Sequence, residues 1–170
     1  MELESVILAG DSAGGHLALC IAQLAVLRGF RRPDAIFSHY PALSVDLQRF
    51  FPSLLMSVDE ELLSQPFMQF ALSCFTRNGG KADSNPLMSP IYCPDEMLRQ
   101  LPPVKFMTAE VDALRDQALI FALKMLKVGN KCEIYFMKDH IHGFCNIDTN
   151  YVGVNEYRRT TTLTEQLFRE

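Results

Sequence analysis

The stretch VILAGDSAGGHLAL, Val6 to Leu19, carries an apolar run into Gly10-Asp11-Ser12-Ala13-Gly14 and then turns helical. G-x-S-x-G at such a junction is a sharp strand-to-helix turn that pushes a serine hydroxyl into the open. Glycines flank the serine because the backbone is strained there and neighbouring segments pass too close for side chains. A serine so placed sits at the N-terminus of a helix, where free N–H groups and the helix dipole favour a developing negative charge. The chemistry is nucleophilic attack on a carbonyl by Ser12, with the Ala13 N–H as first oxyanion donor. An inert serine in a glycine-rich turn is the plainer alternative, and the strand-to-helix placement favours the nucleophile.

A serine needs a base, and the base needs an orienting carboxylate; after such a turn the chain order is serine, acid, histidine. The histidines well downstream are His140 and His142 in KDHIHGFCNID, and before them AEVDALRD offers Glu110, Asp112 and Asp116. Both stretches follow apolar runs that read as strands, so all the parts lie past C-terminal strand ends, where open α/β sheets build their sites. Each has a plainer reading. His140-x-His142 beside Asp139 suggests metal ligation, but two ligands are too few. Asp112 or Asp116 can cap the helix that begins near them. His39 is expected in the core or on the sheet surface, and His16 as a packing residue near the site.

The elements that must position these residues alternate in the way that predicts a parallel sheet covered by helices. Val6 to Ala9 reads as a strand, and Leu17, Ile21, Leu24 and Ala25 recur at helical spacing until Gly29 caps the helix. Ala35 to Tyr40 is a second strand. After Pro41 comes a long excursion rich in Phe, Leu and Met, in which Ser57 and Glu60 form a capping box and Pro66 divides two short helices. Val104 to Ala109 is a third strand, Arg115 to Val128 a helix ended by Gly129, and Lys131 to Met137 a fourth strand. A final helix of weaker pattern, interrupted by Thr160 to Thr162, is expected in the last twenty residues.

With 170 residues and 48% hydrophobic content, the chain reads as a single domain, residues 1–170. A net charge of −4 with no basic stripe argues against a nucleic-acid partner. Five widely spaced cysteines, an odd number without a C-x-x-C pair, predict free thiols in a reducing compartment, so a cytoplasmic location is expected. The N-terminal apolar run is too short for a signal peptide or a membrane span.

GDSAGG, NPLMSP, PDEMLRQLPPV, DALRD and HGF occur in the order and approximate spacing of the hormone-sensitive lipase family of α/β-hydrolases, which the chain resembles over about Val6 to Asp148. The resemblance implies Ser12 as nucleophile in an elbow formed with Gly10, Asp11, Gly14 and Gly15. It implies Asp112 as orienting carboxylate, and His142, which precedes Gly-Phe, as general base in preference to His140. It further implies a carboxylic-ester hydrolase, with acylglycerols or cholesteryl or retinyl esters as substrates and a lipid-droplet surface as a partner. No metal or organic cofactor is implied.

The family's H-G-G-G oxyanion segment, which lies N-terminal to the elbow, is absent from this sequence, as are the strands that would precede Val6. The expectation is therefore the C-terminal part of an α/β-hydrolase fold, a mostly parallel sheet flanked by helices, with the first strand as an exposed edge. An alternative follows from that edge: a catalytically silent fragment that depends on a partner. A lipid-binding module is a further one, with Phe50, Phe51, Leu54, Leu55 and Met56 as the lipid-facing patch, although packing of these residues between excursion and sheet is the preferred account.

Overall fold

The computed structural model describes residues 5–46, 51–57, 60, 62–76, 85–146 and 166. Its centre is a four-stranded, all-parallel sheet in the order β1 (Ile7–Asp11), β2 (Ala35–His39), β3 (Val104–Val111), β4 (Cys132–Ile141). Helix α1 (Ala13–Arg28) connects β1 to β2. Between β2 and β3 lie α2 (Pro52–Met56), α3 (Gln65–Phe75), a 3₁₀ turn at Pro90–Tyr92 and the short α4 (Asp95–Leu98); α5 (Arg115–Lys127) connects β3 to β4. Parallel neighbours require such crossovers, and the helices follow from the spacing of apolar residues.

Side chains of a strand alternate between faces, and the two cores follow that period. Ile36, Val104 and Phe106 pack with Leu19 and Ala22 of α1 and with Phe121 and Met125 of α5, so both long helices cover one face. Phe37, Met107 and Ala109 point the other way and meet Tyr40 and Phe144. Strand β1 lies at the sheet edge with Ile7 exposed, as expected, and Leu17, Ile21 and Leu27 of α1 are also exposed.

Several boundaries differ from the sequence reading. Ser57 begins no helix: it follows α2 as its C-cap, and its hydroxyl donates to the Ser53 carbonyl at 2.8 Å. The N-cap that forms is Ser64, which accepts from Phe67 N–H at 3.4 Å, with Pro66 in the first turn of α3, where its missing N–H costs nothing. Phe51 is in the core, in line with the packing account, whereas Leu55 and Met56 are exposed; Phe50 lies outside the described residues. The expected final helix also falls outside them, apart from one helical residue at Gln166.

Strand β4 runs four residues beyond Met137 through a bulge. Met137 pairs with Ala109 and Ile141 with Val111, so three residues of β4 oppose Glu110 alone. Asp139 takes up a left-handed conformation there (φ 59°), and its N–H donates to Glu110 Oε2 at 2.8 Å. A bulge re-aims the end of a strand, and this one sets where His142 emerges.

Candidate active site

Ser12 joins β1 to α1 at φ 52° and ψ −116°, a conformation that L residues rarely adopt. Its N–H donates to the His39 carbonyl at 2.9 Å and its carbonyl accepts from His16 N–H at 3.2 Å, so sheet and helix hold the strained residue from both sides. The glycines divide the work unequally. A Cβ on Gly10 would lie 2.4 Å from the Gly14 carbonyl carbon and oxygen, and one on Gly15 would lie 2.4 Å from Ser38 Oγ and 3.0 Å from Pro41 Cβ. On Gly14 a Cβ would meet nothing closer than 3.8 Å, so the close approach expected at Gly14 belongs to Gly15.

His142, in the turn after β4, brings its Nε2 to 3.0 Å from Ser12 Oγ and its Nδ1 to 3.0 Å from Asp112 Oδ2. Asp112, just past β3, is 1% exposed; its second oxygen accepts from Leu114 N–H at 2.8 Å. A carboxylate so buried and so paired has a fixed orientation. The other candidate acids are occupied elsewhere: Glu110 holds the bulge, and Asp116 accepts from Ser53 N–H at 2.8 Å and from Arg115 Nε at 3.1 Å. The His140 ring stands beside the Lys138 carbonyl and the Phe144 ring and takes no part in this array. His39 is half-buried and edge-on to Phe37, and His16 is buried with Nδ1 2.8 Å from the Ala42 carbonyl. Burial lowers the pKa of both.

Two further residues lie against His142 and its turn. The Tyr40 ring meets the His142 ring at 4.8 Å and 62°, and burial pushes its phenol pKa up. Asn146 donates from Nδ2 to Asp11 Oδ2 at 2.6 Å, tying the His142 turn to the elbow. The sequence holds only a faint sign of Tyr40, an aromatic at the end of a strand, and none of Asn146.

A cavity of about 400 Å³ opens beside Ser12. Ala13, His16 and Leu17 of the elbow and α1, Ala42, Ser44 and Val45 after β2, and Phe67, Ala71, Leu72 and Phe75 of α3 form much of its wall, and among the described residues no Asp, Glu, Lys or Arg lines it. Ala13 opens α1, so its N–H has no carbonyl partner within the helix. The five cysteines are free thiols, and among the described residues no helix is long and apolar enough to cross a membrane.

The family model described as alpha/beta hydrolase fold matches residues 1–146. Carboxylesterase NlhH of Mycobacterium tuberculosis is 29% identical over 143 residues, covering 83% of this chain and 44% of that protein. Hormone-sensitive lipase of Mus musculus is 35% identical over 63 residues, 37% of this chain and 8% of that protein. The crystal structure of carboxyl esterase 2 from the mycorrhizal fungus Tuber melanosporum superposes with a TM-score of 0.78 at 31% identity, over 84% of this chain and 46% of that one. The chain spans less than half the length of the first curated relatives it matches: 45%, 40% and 44%.

Proposed function

The chain belongs to the alpha/beta hydrolase fold family, and from that premise we propose that it hydrolyses carboxylic esters with Ser12 as nucleophile, His142 as general base and Asp112 as orienting carboxylate. One observation carries the reading: residues 130 and 30 positions apart in sequence meet in a continuous Ser12–His142–Asp112 hydrogen-bond chain. With the proton on Nδ1 donated to Asp112, Nε2 is free to accept the Ser12 hydroxyl proton as Oγ attacks the ester carbonyl. The oxyanion forms at the start of α1, within reach of the Ala13 N–H. The tetrahedral species then collapses, His142 passes its proton to the leaving alkoxide, and an acyl-serine remains. Water, deprotonated by the same imidazole, attacks that acyl group; Ser12 recovers its proton and the carboxylic acid leaves.

The substrate is an uncharged ester with an apolar acyl or alcohol part. A cavity of about 400 Å³ lies in the range of small-molecule sites, and among the described residues no charged side chain lines it to pair with a charged group. An acylglycerol or sterol ester taken from a lipid surface is the finer form of this reading. In its support, Phe67 and Phe75 line the cavity and are each 53% exposed.

The test is labelling of the folded chain by a fluorophosphonate, with the adduct located by mass spectrometry. An adduct on Ser12 that is lost in Ser12→Ala is expected; folded protein without an adduct refutes an assembled triad. A second reading has its own observation, the β1 edge and the exposed Leu17, Ile21 and Leu27 of α1: the site assembles, but turnover needs these surfaces covered. Labelling of Ser12 without ester turnover is its signature.

A further inference from the structure

The Ser12 carbonyl and the Ala13 N–H belong to one trans peptide plane and point opposite ways, so whatever fixes the first also aims the second. The Ser12 carbonyl accepts twice, from His16 N–H at 3.2 Å and from Ala42 N–H at 3.4 Å. The first is the opening bond of α1, which any residue with an N–H at position 16 would supply. The second comes from the segment after β2, and the His16 side chain holds that segment: its Nδ1 stands 2.8 Å from the Ala42 carbonyl. Ser12, Ala42 and His16 thus close a ring of three hydrogen bonds around the strained turn.

Other elements anchor the rest of the segment. Leu43 and Ser44 N–H both donate to Gln117 Oε1 of α5, at 2.7 and 2.9 Å, and Val45 N–H donates to Ser89 Oγ at 2.9 Å. The Leu43 carbonyl accepts from Ile91 N–H at 3.0 Å, and Pro41 passes so close over α1 that a Cβ on Gly15 would lie 3.0 Å from Pro41 Cβ. His16 is therefore the side chain that joins an otherwise braced segment to the elbow. Burial lowers its pKa against the opposing pull of the Ala42 carbonyl, so in neutral solution the ring is uncharged and has one proton to place. A carbonyl oxygen only accepts, which puts that proton on Nδ1. The same ring lines the cavity and meets Phe75 of α3 edge-on at 6.2 Å.

We propose that His16 is a positioning residue of the same site: by holding the Ala42 carbonyl it keeps Ala42 N–H on the Ser12 carbonyl, and so aims the Ala13 N–H at the oxyanion. This rests on the reading of Ser12, His142 and Asp112 given above. A residue at φ 52° and ψ −116° stays there only while its surroundings over-determine it, and a donor helps only if it already points at the developing charge. Without the His16 donor the buried Ala42 carbonyl loses this partner and the segment shifts to find another, turning the Ser12–Ala13 peptide with it.

His16→Asn keeps an N–H donor the same number of bonds from the backbone as Nδ1, whereas His16→Leu keeps bulk and loses the donor. Fluorophosphonate labelling followed against reagent concentration separates apparent affinity from maximal rate. His16→Leu is expected to lower the maximal rate about tenfold to hundredfold with affinity changed less than about threefold, and His16→Asn to stay within about threefold of wild type in both. A residue that merely packs the cavity wall reverses that order, with His16→Leu near wild type and His16→Asn slow. Two NMR readouts need no activity. The His16 ring nitrogen shifts of the wild-type chain are expected to show the proton on Nδ1, and the Ala42 amide to exchange with solvent faster in His16→Leu than in wild type or His16→Asn. If His16→Leu does not fold, His16→Gln, whose amide nitrogen lies one bond too far out, replaces it with the same expectations. A folded wild-type chain that is never labelled refutes the esterase reading, and the His16 tautomer and the Ala42 exchange then still decide whether His16 holds the turn. A proton on Nε2, or equal labelling and equal Ala42 exchange in wild type and folded His16→Leu, overturns the proposal.

Discussion

The unequal roles of the elbow glycines give a sharp test, because Gly10→Ala and Gly14→Ala add the same methyl group four residues apart with opposite expected signs. At Gly10 the new Cβ lies 2.4 Å from the Gly14 carbonyl carbon and oxygen and 2.9 Å from Gly15 N. Non-bonded atoms settle at about 3.5–4.0 Å, so the backbone at the start of α1 must retreat by about an ångström. Overpacking that a side chain relieves costs roughly 1–3 kcal/mol. Here the obstacle is backbone, so about 3 kcal/mol or more is expected, a large part of the roughly 5–15 kcal/mol that holds a domain folded. At about 2–4 °C per kcal/mol for a chain of this size, Gly10→Ala should lower Tm by roughly 6–12 °C. It should also slow Ser12 labelling, because the displaced turn carries Ser12.

At Gly14 the nearest atom to the added Cβ is Asp11 Oδ1 at 3.8 Å, φ is not positive, and the residue is helical. Alanine there restricts the unfolded chain and suits the helix, a gain of about 0.5–1 kcal/mol and a Tm rise of roughly 1–4 °C. Thermal melts by circular dichroism, paired with labelling rates, measure both. If Gly10→Ala melts within 2 °C of wild type (roughly 1 kcal/mol or less), or if Gly14→Ala costs as much as Gly10→Ala, the assignment of the close approach is wrong.

Asp112→Asn keeps an oxygen for Leu114 N–H but offers the imidazole an amide, so the wrong tautomer is held; if the three residues act as proposed, labelling should slow by about 10⁴-fold, with Tm little changed. A rate within tenfold of wild type would place the orienting acid elsewhere. Burial pushes Cys20 and Cys145 up to about 11, and Cys93 and Cys132 up to about 12, from 9.0. Between those values the unfolded chain releases protons that the folded chain retains, so stability is full below pH 9 and declines as pH rises towards 11. The urea midpoint should therefore be lower at pH 10 than at pH 8, and an unchanged midpoint contradicts the burial of these thiols.

Much of the site was legible in the sequence because its parts are tied to local chemistry. G-x-S-x-G marks a turn wherever it occurs between an apolar run and a helix-forming stretch, and Asp112, Ser12 and His142 each follow a strand. Local pattern could not choose among Glu110, Asp112 and Asp116, three acids of similar chemistry within seven residues of sequence; the family resemblance favoured Asp112. In the structure the bulge separates them, engaging Glu110 against Asp139 and leaving Asp112 to face the imidazole. The capping box failed for a related reason: Ser57 and Glu60 have the right spacing, but α2 had already begun at Pro52, and a cap works only where a helix starts.

By itself the sequence determined the order of the four strands and of the two long helices between them, the turn at Ser12, and the strand ends that carry Asp112 and His142, because hydrophobic period, glycine and proline act over a few residues. Tertiary structure alone decided what lies opposite what. Gln117 accepts from Leu43 and Ser44 N–H across more than seventy residues, and Asn146 reaches back to Asp11. Such contacts join segments whose separation along the chain carries no periodic signal, and they exist only once the parallel sheet has set the register between strands.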